Sequence, residues 1–189
     1  MSEKKNGLEI VKVGLILFAI TAVAALILVF VNSITAPVIS EQEEIKMQTA
    51  MKNVLPTADS FEEIDTDLSE FPLITKLYKG GDSGYVAMAA PKGYGGAISI
   101  AVGVDNDLKV TGISIISQSE TAGLGAKCVD ETWQSQYIGK TEDITVVKSG
   151  AKDNQIDVIS SATITSKAVT KGVNEAISAV KALGGGNDE

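Results

Sequence analysis

The most constraining feature of this chain is an uncharged apolar run over residues 13–31, VGLILFAITAVAALILVFV. A helix of that length rises through nearly the full hydrocarbon thickness of a bilayer. Its thirteen Leu, Ile, Val and Phe residues favour insertion by roughly 4–8 kcal/mol, and no charged residue in the run opposes them. The run therefore predicts one transmembrane helix over residues 13–31.

The charges that flank this run predict its orientation. Lys4, Lys5 and Lys12 precede it, whereas the SITAPVISEQEE segment that follows carries no cation. The positive-inside rule then places residues 1–12 in the cytoplasm as a short tail, and the rest of the chain outside the cell membrane. The alternative is a cleaved signal peptide with a processing site at Ile34–Ala36. The run exceeds the usual 7–15 apolar residues of such a signal, which favours an uncleaved anchor.

Composition removes several classes of function. The chain has no histidine, one cysteine (Cys128) and a net charge of −8. Haem, iron–sulfur and structural zinc sites draw on His or on several Cys ligands, so we assign no metal-binding residue, and no catalytic residue either. The acidic balance disfavours nucleic acid as a partner. Any redox chemistry therefore needs an organic cofactor, and Cys128 is interpreted as a small buried hydrophobe.

Residues 32–55 are predicted to connect the anchor to the outer domain. Pro37 marks a soft boundary, and a helix is expected from Ser40, where Glu43 completes a capping box, to Leu55, where Pro56 stops it. Its expected apolar stripe consists of Ile45, Met47, Ala50, Met51, Val54 and Leu55.

The outer domain, residues 56–183, has the pattern of an α+β fold with helices packed on an antiparallel sheet. Alternating apolar runs separated by Gly-, Asp- and Asn-rich turns predict hairpins. The expected strands are 73–78, 85–90, 97–104 and 109–117, with short strands at 144–148 and 156–159. A final helix is expected over residues 164–183, with Val169, Val173, Ala176, Ile177, Val180 and Leu183 on its apolar face. A flexible tail of residues 184–189 would follow.

The segment DVISSATITSKAV, residues 157–169, bears most directly on function. A short strand runs through a cluster of hydroxyls into the long final helix, whose first-turn amides and macrodipole favour an anion such as phosphate. Ser and Thr are also preferred helix caps, so this reasoning leaves two explanations open, a capped helix and a phosphate site. No Gly-x-x-x-x-Gly-Lys loop is present, which excludes a nucleoside triphosphate loop of that type.

Residues Asp157 to Thr163 resemble the acceptor motif for covalent flavinylation, Asp-x-x-Ser/Thr-Gly-Ala-Thr, and Ile164-Thr165-Ser166 match the x-Thr-Ser that follows it. In that family a flavin transferase uses FAD to attach FMN through its phosphate to the last threonine of the motif. The resemblance implies that Thr163 is the attachment residue and that Asp157 belongs to the transferase recognition signal. Ser161 stands where the family usually has glycine.

Three further segments resemble the same family in the same order. They are KGYGGAISIAVGVD (92–105), SETAGLG (119–125) and WQSQYIG (133–139), with Ala122 replacing a proline and Gln118 near a position often held by histidine. The chain most resembles the G subunits of Rnf electron transport complexes, with the C subunits of sodium-pumping NADH:quinone reductases as relatives. The resemblance implies flavin contacts at Tyr94, Gly95, Glu120, Thr121, Gly123, Leu124, Gly125, Trp133, Ser160, Ser161, Ala162, Ile164, Thr165 and Ser166.

This resemblance implies a membrane-anchored electron carrier with one covalent FMN per chain, in an ion-translocating ferredoxin:NAD oxidoreductase complex. Its partners would be the other membrane subunits of that complex, and the flavin transferase during maturation. No independent catalytic activity is expected. The alternatives are a component like the C subunit of the sodium-pumping reductase, a stand-alone flavin reductase or sensor, and a non-redox extracytoplasmic binding or scaffold domain.

Overall fold

The computed structural model describes residues 2–184, and it begins with one long helix, α1, over Ser2–Val54. Within the described residues, α1 is the one helix whose length and composition suit a membrane span. The predicted second helix start at Ser40 is wrong, because α1 continues through Pro37. An interior proline removes one backbone donor, and the many intact turns on either side outweigh that loss.

The chain divides into two compact units, one ending at Ile45 and the other beginning at Lys46. The second unit contains a five-stranded antiparallel sheet whose strand order follows the chain, β1-β2-β3-β4-β5. Its strands are β1 Glu62–Ile64, β2 Ile74–Lys79, β3 Tyr85–Ala89, β4 Ser99–Val104 and β5 Val110–Ser117. The four predicted strands and their hairpins are thus confirmed, with β1 added at the edge.

The two faces of this sheet carry different helices. Helix α3, Thr163–Ala182, packs on one face, with Val169, Val173 and Ile177 fully buried. The end of α1 covers the other face through Ala50, Met51 and Val54, together with Leu55 directly after the helix. Ile45, predicted to share that apolar stripe, is instead exposed. The alternation of strand side chains explains the arrangement, since β3 sends Ala87 and Ala89 to one face and Val86 and Met88 to the other.

The segment between β5 and α3 leads the chain to the site. It contains a 3-10 turn at Gly125–Val129, the one-turn helix α2 at Glu131–Gln134 and a second 3-10 turn at Ser135–Tyr137. Two short strands follow, β6 Thr145–Val147 and β7 Gln155–Asp157, and they pair in parallel. Strand β7 then passes through a tight turn into α3, so the predicted strand-to-helix junction is present. The tail predicted after α3 lies outside the described residues, apart from Gly184.

Candidate functional site

A cavity of about 450 Å³ opens at the N-terminal end of α3. It is formed where the loop after β5 meets the β7–α3 junction. The lining residues are Tyr94, Glu120, Thr121, Leu124, Gly125, Ser161, Ala162, Thr163, Ile164 and Thr165. All ten belong to the set that the sequence predicted, although they come from three separate stretches of the chain.

The start of α3 leaves its first turn without a side-chain cap. Ala162 is the N-cap residue and makes no capping hydrogen bond through its side chain, and Thr163 is the first helical residue, exposed beside the cavity. Ser166 is buried, accepts a hydrogen bond from the Ile159 amide and donates one to the Ala162 carbonyl, both at 3.0 Å. Ser166 therefore braces the junction instead of capping the helix. The first-turn amides keep their preference for an anion.

Glu120 joins the three stretches that form the cavity. Its buried carboxylate accepts a hydrogen bond from the Gly95 amide at 2.8 Å and one from the Thr165 hydroxyl at 2.5 Å. A Cβ on Gly125 would lie 2.5 Å from Glu120 Oε2 and 2.7 Å from Thr165 Oγ1, so this approach requires glycine. The Glu120 carboxylate thus binds donors of the protein itself, and it holds the Gly95 loop and the start of α3 at a fixed distance on either side of the cavity.

Apolar side chains form the rim of the cavity. Three large side chains are exposed together there, Tyr94 at 73%, Ile164 at 57% and Leu124 at 41%. Single exposed hydrophobic residues are common, but exposed apolar residues grouped around a cavity are typical of a ligand-binding site. The site therefore combines an anion-binding helix end with an apolar mouth.

Ser161 adopts a backbone conformation that glycine normally supplies. Its φ is +63°, in the left-handed region. A side chain there costs on the order of 1 kcal/mol, which is the physical reason for a glycine at this position of the motif. The serine keeps the turn that leads the chain into α3, at the expense of strain.

Several predicted contacts lie outside the cavity. Trp133 is buried in the core, edge-on to Tyr137 with ring centroids 5.5 Å apart, and its indole N–H donates to the Asp157 carbonyl at 2.8 Å. The apolar contact expected of Trp133 is therefore not part of the cavity wall. The other predicted residues that do not line the cavity are Gly95, Gly123, Ser160 and Ser166. Of these, Gly95 acts through its amide on Glu120.

Two glutamines organise the site in a way that sequence reasoning missed. The Gln118 side-chain oxygen accepts the Glu120 amide at 2.5 Å, and the Gln136 side-chain oxygen accepts the Asp157 amide at 2.7 Å. A glutamine in a loop has no pattern that reveals its backbone partner. The signal that existed for Gln136 was its place in the WQSQYIG segment.

Cys128 lies in the 3-10 turn Gly125–Val129 and is fully buried, as predicted. Burial raises the pKa of its thiol to about 11, and the nearby negative charge of Glu120 adds to the increase. Burial likewise raises the pKa of Tyr137, whose hydroxyl bonds to Thr170 at 2.8 Å. Both groups are neutral parts of the core at ordinary pH.

Comparison with known proteins gives these features a family. A family model described as FMN-binding domain matches residues 93–178, and one described as RnfG N-terminal region matches residues 1–54. The chain is 39% identical to the G subunit of the Na⁺-translocating ferredoxin:NAD⁺ oxidoreductase complex of Acetobacterium woodii, over 88% of this chain and 89% of that one. It belongs to the RnfG family. A second member, the G subunit of the proton-translocating ferredoxin:NAD⁺ oxidoreductase complex of Clostridium ljungdahlii, is 37% identical over 87% of this chain and 88% of that one.

Solved structures related to this RnfG family member share its fold. The C subunit of the Na⁺-translocating NADH-quinone reductase from Parabacteroides distasonis matches with a TM-score of 0.56 at 20% identity, over 74% of this chain and 92% of that one. NqrC of Shewanella oneidensis matches with a TM-score of 0.50 at 26% identity, over 57% of this chain and 61% of that one. These likenesses support the α+β fold of the second unit. The longer and closer sequence matches to RnfG proteins favour that family over the NqrC alternative.

Proposed function

We propose that this chain is a membrane-anchored electron-transfer protein that carries FMN esterified through its phosphate to Thr163. The observation that carries the proposal is the exposed hydroxyl of Thr163, which lies beside a cavity at a helix N-terminus that no side chain caps. The family match to an FMN-binding domain supports the identity of the ligand.

The residues at the junction fit a phosphodiester. The first-turn amides of α3 and the helix dipole stabilise its negative charge, and Lys167 adds a cation one turn after Thr163. Because Thr165 and Ser166 are bonded to Glu120 and Ala162, Thr163 is the hydroxyl of this turn that stays exposed for modification. The phosphate end of the cofactor is therefore assigned to Thr163.

The rim of the cavity fits the apolar ring system. Tyr94, Leu124 and Ile164 would cover the ring and limit water. FMN, when bound, supplies reversible electron transfer that no side chain in this chain provides. The protein's contribution is to hold it, orient it and set its exposure.

Attachment would consume FAD as the flavin donor. The Thr163 oxygen forms a bond to the phosphorus on the riboflavin side of the FAD pyrophosphate, the bond from that phosphorus to the bridging oxygen breaks, AMP leaves, and the hydroxyl proton is released. A flavin transferase is the partner for this step. A covalent phosphate bond suits a domain outside the membrane, because a freely bound flavin would be lost by dilution there.

The apolar part of α1 is proposed to be the membrane anchor. Its side chains over residues 13–31 are nearly all exposed and almost entirely apolar, and the lysines before them favour a cytoplasmic N-terminus. We infer that the FMN domain lies outside the membrane, where it relays electrons between other subunits of an Rnf-type complex without a substrate site of its own. The two relatives at 39% and 37% identity are named as subunits of such complexes.

The experiment is co-expression of the full chain with a flavin transferase, followed by in-gel fluorescence and intact-mass analysis. The native chain should fluoresce under denaturing conditions and gain one FMN. Thr163→Val, which is close in shape, should lose both signals and keep its fold, and Thr163→Ser should regain part of the label. Thr145→Val is the matched control, since it makes the same change at an exposed threonine that does not line the cavity. A labelled Thr163→Val protein would contradict the proposal.

A further inference from the structure

Asp157, six residues before Thr163, is held from three directions. Its side-chain Oδ1 accepts the Ala151 amide at 2.8 Å. Its own amide donates to the side-chain oxygen of Gln136 at 2.7 Å, and its carbonyl accepts the indole N–H of Trp133 at 2.8 Å. The carboxylate expected to serve recognition is therefore already engaged inside the folded chain.

The two side chains that hold the backbone of Asp157 act as a substitute for a strand. Strand β7 pairs with β6 on one edge, where the Val158 amide donates to the Val147 carbonyl at 2.9 Å. On the other edge, the amide and carbonyl of Asp157 point the same way, as they do for any strand residue. Gln136 accepts from that amide and Trp133 donates to that carbonyl, both from the helical segment 131–137. The C-terminal end of β7 is thus hydrogen-bonded on both edges, by Val147 through Val158 on one and by Gln136 and Trp133 through Asp157 on the other.

The bonds from Trp133 and Gln136 to Asp157, here called the clamp, lie at the start of the junction. The bonds of the Ser166 hydroxyl lie at its end. Between them the chain has one internal backbone bond, from the Ala162 amide to the Ile159 carbonyl at 2.9 Å, and the strained Ser161. The Ser166 hydroxyl fixes Ile159 and Ala162 from the helix side. A segment this short transmits a shift of Asp157 to the first residue of α3, because it has little slack to absorb one.

We propose that Trp133 and Gln136 are positioning residues for flavin attachment, which act by fixing the end of β7 and thereby the place of the Thr163 hydroxyl. This rests on the proposed function, attachment at Thr163. Phosphoryl transfer from FAD requires the attacking oxygen to be held in line with the departing AMP, and small displacements of a reacting atom lower such rates steeply. Neither residue lines the cavity, so their effect on attachment passes through Asp157.

The test is the rate of FMN transfer in vitro, with purified full-length unmodified chain, a flavin transferase and FAD, followed by intact mass. Gln136→Leu and Trp133→Phe each remove one clamp bond and should slow transfer by at least about tenfold. Gln136→Glu retains an acceptor oxygen for the Asp157 amide and should recover most of the rate. Gln134→Leu is the matched control, because the Gln134 side chain, from the same helical segment, donates to the Cys128 carbonyl at 3.0 Å instead of to β7.

Two further readouts separate positioning from general loss of stability. Hydrogen exchange at the Asp157 amide should accelerate in Gln136→Leu and not in Gln134→Leu, and the apparent KM for FAD should stay constant while the maximal rate falls. If Trp133→Phe proves unstable, the comparison of Gln136→Leu with Gln136→Glu tests the inference alone, since Gln136 contributes no ring to the core. Transfer to Gln136→Leu at the native rate, or equal slowing in Gln134→Leu, would overturn the inference. A native chain that accepts no FMN would instead overturn the proposed function.

Discussion

The bonds made by Glu120 lead to a specific prediction about the stability of the second unit. Two substitutions of Glu120 by residues of similar size differ in the hydrogen-bond acceptors that they retain. Glu120→Leu removes both acceptors and leaves the Gly95 amide without its partner, whereas Glu120→Gln keeps one oxygen for Gly95. Its amide nitrogen can donate to Thr165, because a hydroxyl accepts as well as donates.

The magnitude follows from the number and kind of bonds. A hydrogen bond to a charged group contributes about 1.5–3 kcal/mol, so Glu120→Leu should lower the free energy of unfolding by about 3–6 kcal/mol. Glu120→Gln exchanges charged bonds for neutral ones and should cost about 1–3 kcal/mol. Removal of the exposed carboxylate in Glu131→Leu or Glu131→Gln should change the free energy by less than about 0.5 kcal/mol.

The assay is urea unfolding of the full chain in detergent, followed by the fluorescence of Trp133, the sole tryptophan in the sequence. Trp133 is buried in the core of the second unit, so its emission reports that unit. Unfolding of Glu120→Leu at the same urea concentration as the two Glu131 variants would refute the prediction. Equal instability of the Gln and Leu variants at position 120 would refute it as well.

Three further predictions concern strain, burial and close contact. Ser161→Gly relieves a φ of +63° and should raise Tm by about 2–4 °C in a thermal melt, whereas a lower Tm would show that the serine is not strained. Cys128, whose pKa burial raises to about 11, should react with a thiol reagent at pH 8 at least about 100-fold more slowly in the native state than in urea, and equal rates would mean that the thiol is accessible. Gly103→Ala places a methyl group against the Val54 carbonyl and should cost about 1–3 kcal/mol in urea unfolding, whereas Gly96→Ala meets only ordinary contacts and should be nearly neutral; equal costs would refute the clash.

Elements with a strict apolar period could be predicted from the sequence. The residues of α3 recur at helical spacing, and those of the four main strands alternate, because each element buries one face. The junction was predictable for a different reason, since Thr163 lies within a contiguous motif. The ten residues of the cavity wall came from the family resemblance, and the structure brings them together.

Contacts between distant segments could not be predicted in the same way. Glu120 and Thr165 are 45 positions apart, and Trp133 and Asp157 are 24 apart, so no local pattern links them. An aromatic residue in a motif serves either the core or a ligand, and the sequence around Trp133 does not distinguish the two. The helix break predicted near Pro37 is absent, because the rule that proline ends a helix takes no account of the intact turns on either side of it.

We propose above that the chain carries its redox group on Thr163, the first residue of α3. The most direct measurement is tandem mass spectrometry of peptides from protein purified out of its native membrane. We expect the peptide containing Thr163 to carry one FMN, with the phosphate on the threonine oxygen and with fragments that leave Ser160, Ser161 and Thr165 unmodified. An unmodified Thr163 in that material, or FMN on a different residue, would contradict the claim.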